Sequence, residues 1–437
     1  MRIEKLLSFI SALVQSEFAR SVILISFGTI LGQLALILAS PLISRLYTPK
    51  EMGVFAVYAS TVGVLSIIFS FRYELAIPLA TNDREAWSLA ALTLIFATLL
   101  GVLGGGLLYI FSAYYFSFFN VPSNNYWIFY LLPLGIIATV AYQTINFLLI
   151  RYKQLKNIAE IKFLQGVTAA TTQVSLGYVS VGSVGLAFGI VFGRSLGFLS
   201  GLKHALRVSS AAGVNYDTLV AAARTFARFP KYGIFSGGIN ALTVELPMFI
   251  TSSLFGSDFA GFYALAQRVV VSPLNILGKS VAQAYMSVLG QYIRTQDPKA
   301  FNLFKKLSKI LFLIALPVFL TLGYFAPSLF ELIFGHRWHT SGVIVRILSP
   351  AFLAQFVVVP LSQTLNFINR QDLQLLWDLF RFVSGLFVFL WASARHVDYS
   401  TFYIIYGALL ASAYIILYVA MYAQLKLLVD RWSSKES

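Results

Sequence analysis

Twelve apolar stretches run through this chain, and their lengths constrain its fold more than any motif does. They lie approximately at 21–44, 53–71, 87–112, 127–149, 163–182, 184–202, 233–255, 261–287, 307–330, 342–366, 379–394 and 402–423. As helices rising about 1.5 Å per residue, most are long enough to cross a hydrocarbon layer roughly 30 Å thick. The eleventh is short, and the eighth is interrupted by Arg268, Pro273 and Lys279. In hydrocarbon every backbone N–H and C=O must be paired inside the protein, so such runs resolve into helices. Charged residues make up 11% of the 437 residues, against about 25% in soluble domains. That supply is too small to clothe a water-soluble surface. The chain reads as an all-α integral membrane protein with twelve transmembrane helices.

The distribution of positive charge sets the expected orientation. With the N-terminus in the cytoplasm, inside segments hold 22 of the 32 Lys and Arg, and outside loops hold 4. Lys and Arg accumulate in short cytoplasmic loops, so both termini are expected there. The same rule accounts for the net charge of +15 without nucleic acid as a partner. Residues 1–20, "MRIEKLLSFISALVQSEFAR", lack a small-residue cleavage site. Leu6, Phe9, Ile10, Leu13 and Val14 share one helical face, the pattern of an amphipathic helix lying on the membrane surface.

The sequence also repeats weakly. At an offset of 208 residues, "FAR" at 18–20 recurs at 226–228, and ten identities fall within residues 18–64. Six spans fit in that interval, and an even number returns each half in the same orientation, as in transporters built from parallel repeats. The expected domains are a six-helix lobe over 1–208, including the 1–20 helix, and a second over 209–437. In such folds the substrate path runs between the halves.

Motifs for catalysis are missing. "NILGKS" ends in Gly278-Lys279-Ser280 but lacks the upstream glycine of a nucleotide-binding loop, and it sits in a span. There is no Asp-x-Asp pair and no His-Glu-x-x-His, and the outside loops are all short. The chain has no cysteine and four histidines, of which His336 and His339 stand three apart with no third ligand nearby. No cofactor is expected, and a transporter fits better than an enzyme.

The remaining charges are the candidate functional residues. In "SFRYELAIPLA" (70–80), Arg72 and Glu74 flank Tyr73 at the cytoplasmic end of span 2, where water is within reach of a snorkelling side chain. Their i, i+2 spacing does not bring them face to face on a helix, so no mutual ion pair is expected. Glu245, Arg268 and Arg194 lie deeper. A charge at the centre of a lone helix costs about 2.5–3.5 kcal/mol or more, so each should face a wet cavity or a partner. Adjacent antiparallel spans bring Glu245 and Arg268 within reach of each other, and Pro247 and Pro273 are expected to break the helices beside them. Arg194 reads as structural, inside one lobe.

"ISRLYTPKEMGVFAVY" (43–58), "FRYELAIPLA" (71–80) and "FGHRWHTSGVIVRILSPAFLAQFVVVPLSQTLN" (334–366) resemble the O-antigen and polysaccharide-unit flippases. These belong to the multidrug/oligosaccharidyl-lipid/polysaccharide exporter superfamily, and the resemblance spans essentially the whole chain. It implies two six-helix lobes around a central cavity lined by spans 1, 2, 7 and 8. It also implies a cargo of undecaprenyl-diphosphate-linked oligosaccharide, moved from the cytoplasmic to the periplasmic leaflet of a bacterial inner membrane by alternating access and with ion coupling. Membrane lipids and other polysaccharide-assembly proteins are the further partners implied. On that reading Arg268, Arg72, Arg20, Lys279 and Arg346 are candidates to hold the diphosphate, because a guanidinium fork suits a diphosphate anion. Glu245 is the first candidate for ion coupling and Glu74 the second, while a Glu245–Arg268 pair that merely fixes two helices is the bland reading. Two other functions remain open: a multidrug or organic-cation exporter of the same superfamily, and a membrane polysaccharide polymerase or ligase. A cationic drug favours carboxylates, whereas the deep charges here are two Arg to one Glu.

Overall fold

The computed structural model describes residues 17–209 and 213–436. Twelve long helices account for the twelve spans. They are α1 (Glu17–Leu46), α2 (Pro49–Phe69), α3 (Asp83–Ile110), α4 (Leu132–Arg151), α5 (Leu155–Tyr178) and α6 (Ser183–Val208). There follow α7 (Ile234–Phe255), the composite α8, α9 (Lys299–Phe334), α10 (His339–Val358), α11 (Gln371–Arg395) and α12 (Tyr399–Glu436). Helix α8 consists of Ser257–Ala266, a π-helical turn over Gln267–Val271, and Ser272–Arg294. No strand occurs among the described residues. The surface helix expected within 1–20 lies outside them up to residue 16.

Among the described residues, nine helices are long and apolar enough to cross a membrane by themselves. Each of the other three has a reason to fall short. In α1 only Ile30–Leu46 enters that count, α8 is divided by its π turn, and α5 carries Lys, Glu and Gln. Helix α5 packs between α1 and α6, and a helix shielded by protein needs less apolar surface than one facing lipid. The eleventh span is longer than its apolar core suggested. Asp372, Gln374 and Asp378 lower the hydropathy of its first two turns, yet α11 is helical over 25 residues.

The helices form two compact units that divide between Leu242 and Thr243, inside α7. The first unit therefore takes in the helix Tyr216–Thr225 and the start of α7, which the repeat had assigned to the second half. Helix pairing recurs at an offset of six helices. The pairs α2–α4, α3–α4, α4–α6 and α5–α6 in the first unit answer to α8–α10, α9–α10, α10–α12 and α11–α12 in the second.

In the first unit the close packing rests on a glycine stripe. Gly185, Gly189, Gly193, Gly197 and Gly201 stand four apart along one face of α6. A Cβ on Gly193 would lie 2.5 Å from the Gln165 carbonyl oxygen of α5, and one on Gly197 would lie 2.7 Å from the Tyr142 ring of α4. Lipid tails are as apolar as leucine, so membrane helices associate through such close backbone approach rather than through the hydrophobic effect. Arg194 sits beside this stripe and donates to Thr139 Oγ1 of α4, which agrees with a structural role.

Gly193→Val should lower the melting temperature of the purified protein, with an overpacking cost of about 1–3 kcal/mol. Gly106→Val on α3 is the control, since no atom lies within 4 Å of a Cβ there, and it should melt near the wild type. Equal melting of the two variants would contradict this packing.

Candidate functional site

Helix α2 stops where two consecutive non-glycine residues turn left-handed. Phe71 has φ 53° and Arg72 φ 59°, a conformation that costs L-residues roughly 1–2 kcal/mol each. Packing holds it in place: the Phe71 ring stacks on Phe96 of α3 with centroids 4.4 Å apart, and the Arg72 N–H donates to Ser70 Oγ at 3.2 Å. A 3₁₀ helix, Tyr73–Leu79, follows. Because the segment is not α-helical, the i, i+2 argument against an ion pair fails here. Arg72 Nη1 donates to Glu74 Oε1 at 3.4 Å.

Glu74 is only 1% exposed, so a partner rather than water answers its charge. The match is incomplete. Glu74 Oε2 and Arg72 Nε are both buried with no hydrogen-bond partner. Burial pushes the Glu74 carboxyl above the usual carboxylate range, opposed by its own backbone N–H, by Arg72 and by Ser70. The Arg72 side chain keeps 23% of its surface exposed, and its inner wall is the glycine face of α7. A Cβ on Gly237 would lie 3.0 Å from Arg72 Nε, and one on Gly233 would lie 3.3 Å from Arg72 Cβ.

The chain joining α6 to α7 packs against the same place. Tyr73 Oη donates to the Ala223 carbonyl at 3.4 Å, and Ser88 Oγ donates to Thr218 Oγ1 at 3.1 Å. Ser209 Oγ donates to Asp83 Oδ2 at 2.6 Å, and Arg151 pairs with Asp83 at 3.6 Å. Arg72 and Glu74 thus belong to a polar patch built from residues 70–88, the end of α4 and the linking segment. Arg20 lies in α1, and its side chain is outside the described residues.

In the second unit two of the candidate cations, Arg268 and Lys279, lie on α8. Arg268 lies within the π turn, with Pro273 just beyond it. Proline lacks an N–H and clashes with the preceding turn, and π turns recur at functional sites. Past the turn, Asn275, Lys279, Gln283 and Ser287 follow at steps of four, all exposed. This polar stripe runs along a membrane helix whose opposite side buries Gly278, Tyr285 and Leu289. Its period was legible in the sequence, although Lys279 alone had been singled out. Glu245 is half-buried on α7, where Pro247 does not break the helix: α7 is continuous over Ile234–Phe255. Arg346 is exposed on α10, beside an open groove of about 490 Å³ that Phe319, Leu320 and Tyr324 of α9 also line.

Sequence reasoning missed Arg381, which stands two residues inside the apolar stretch 379–394. With α11 starting at Gln371, it lies ten residues in, stacked on Trp377 with Asp378 nearby.

Comparison with known proteins gives a consistent picture. The succinoglycan biosynthesis transport protein ExoT of Rhizobium meliloti is 23% identical over 379 residues, covering 84% of this chain and 70% of the relative. The lipopolysaccharide biosynthesis protein WzxC of Escherichia coli is 24% identical over 143 residues, 33% of this chain and 29% of that protein. Among solved structures, the lipid II flippase MurJ in an inward closed conformation superposes with a TM-score of 0.71 at 12% identity, covering 92% of this chain and 87% of that one. An inward-facing multidrug resistance MATE family transporter gives 0.63 at 16% identity, covering 95% and 96%. These likenesses establish the fold. A family model described as "Polysaccharide biosynthesis protein" matches residues 42–343, and the chain belongs to that family.

Proposed function

We propose that this protein is a flippase that carries an undecaprenyl-diphosphate-linked oligosaccharide from the cytoplasmic to the periplasmic leaflet of a bacterial inner membrane by alternating access. It is a transporter and not an enzyme. The observation that carries the reading is the stripe Asn275, Lys279, Gln283 and Ser287 along α8, with Arg268 in the π turn that precedes it. Polar and cationic groups at membrane depth need a wet path, and this one has the sign that suits an anionic lipid head and the hydroxyl-binding amides that suit sugars. An organic-cation exporter would need carboxylates there. The relatives named for succinoglycan transport and lipopolysaccharide biosynthesis support the same cargo class.

In this scheme both termini face the cytoplasm, and Arg72 collects the diphosphate at the inner end of α2, with Arg20 of α1 as a second candidate. Arg268, Lys279 and Arg346 are the deeper candidates to receive it. Glu74 holds Arg72 in place and becomes free to bind a proton when the diphosphate takes the guanidinium over. Losing the Arg72 interaction raises the carboxyl further, since the nearby cation favours its charged form. Glu245 stays a candidate for ion coupling, and the burial and unmatched Oε2 of Glu74 support Glu74 in that role.

Reporter fusions after Val214 should read cytoplasm and after Gly256 periplasm. A periplasmic signal from Val214 would overturn the orientation. Complementation of surface-polysaccharide display in a deletion strain tests the site. Arg72→Lys keeps the charge but loses the planar fork, so display should fall about tenfold or more at normal protein abundance. Glu74→Gln should flatten the pH dependence of transport, because a carboxyl with a raised pKa takes up its proton as pH falls towards that value and the amide cannot. Wild-type display from Arg72→Lys, or an unchanged pH profile from Glu74→Gln, would contradict these assignments.

A further inference from the structure

Helix α11 is 25 residues long, about 37 Å. Arg381 lies about 15 Å from its first residue and about 21 Å from its last. A hydrocarbon slab about 30 Å thick leaves too little of such a helix outside to spare Arg381, wherever along the axis the slab falls. The residue is therefore a cation at membrane depth.

Its surroundings fix the guanidinium without satisfying it. The group lies over the Trp377 ring at 4.6 Å and the Tyr414 ring at 5.7 Å. The Trp377 indole is itself held, donating its N–H to the Ala413 carbonyl of α12 at 2.7 Å. Stacking of this kind contributes about 0.5–2 kcal/mol and covers the face of the guanidinium, leaving its in-plane N–H groups to find acceptors. Nε is buried with no partner, and no hydrogen bond or ion pair from the Arg381 guanidinium to protein occurs among the described residues. Asp378, one turn back, is near enough to interact with Arg381 electrostatically, and its carboxylate accepts from Gln374 Nε2 at 3.4 Å.

We propose that Arg381, held by Trp377 and Tyr414, is an anion subsite inside the second unit that takes an oxyanion of the cargo. This rests on the flippase reading. Two parts of such a cargo carry the chemistry, the lipid diphosphate and the carboxylate of an acidic sugar. The subsite is separate from the α8 stripe and from Arg72, and it recognises its ligand through the edge of a planar cation whose face is already occupied. Lysine, a point charge without that plane, does not replace it.

The test uses the full-length protein in phosphatidylcholine nanodiscs, titrated calorimetrically with undecaprenyl diphosphate and, separately, with a lipid-free oligosaccharide containing glucuronic acid. Wild type should bind at least one probe. Arg381→Gln and Arg381→Lys should each weaken that binding about tenfold or more, while Lys309→Gln leaves it unchanged. Loss confined to the diphosphate assigns the subsite to the lipid head, and loss confined to the oligosaccharide assigns it to the glycan. Wild-type affinity in Arg381→Lys or Arg381→Gln, or no binding of either probe to the wild type, overturns the proposal. The conservative lysine variant, checked by its melting temperature, guards against a folding defect. Full display by Arg381→Gln in the deletion strain would remove the subsite while leaving the flippase reading intact.

Discussion

An arginine in hydrocarbon without an acceptor costs about 2.5–3.5 kcal/mol on insertion scales and more on an isolated helix, and that cost orders the polar interior of this protein. Three solutions are visible. Arg194 donates to a threonine hydroxyl of a neighbouring helix and stays inside the first unit. Arg72 pairs with Glu74 at the end of α2 and lies along the glycine face of α7. Arg381 stacks on two aromatic rings and keeps its donors unmet. The first is closed and structural. The other two each leave a buried Nε without a partner, the observation on which their proposed anion-binding roles rest.

The packing that carries these charges is of the membrane kind. Glycines along α6 let the backbone of α5 and the Tyr142 and Ile145 side chains of α4 approach closely, the packing through which membrane helices associate. Close packing of this sort is a suitable support for a strained loop. The left-handed backbone at Phe71 and Arg72 persists because Phe96 and Ser70 hold it, and the strain sets Arg72 against Glu74.

The sequence made the spans, the repeat and the family legible because hydropathy, charge bias and loop motifs are local properties. The paired helices that recur at a six-helix offset follow from the same repeat. The Arg72–Glu74 pair was not legible: neither Phe nor Arg favours the left-handed region, so the break in helical geometry came from tertiary packing. Arg381 escaped notice because Asp372, Gln374 and Asp378 diluted the apolar signal and moved the apparent start of α11 towards it. Pro247 gave the opposite error, since α7 stays helical across it. The polar stripe on α8 was present in the sequence at a spacing of four, but Lys279 drew attention, with Arg268 and Pro273, as an interruption of a span rather than as one member of a polar face.

The central claim is that the moving cargo is an anionic lipid-linked oligosaccharide. The most direct measurement is flipping in proteoliposomes that contain the purified protein and an undecaprenyl-diphosphate-linked oligosaccharide with a fluorescent sugar. Quenching by a membrane-impermeant reagent reports the leaflet that the sugar occupies. The account requires protein-dependent movement between leaflets, inhibited by excess unlabelled lipid-linked oligosaccharide and not by organic cations. Absence of flipping, together with protein-dependent movement of a cationic dye, would contradict it.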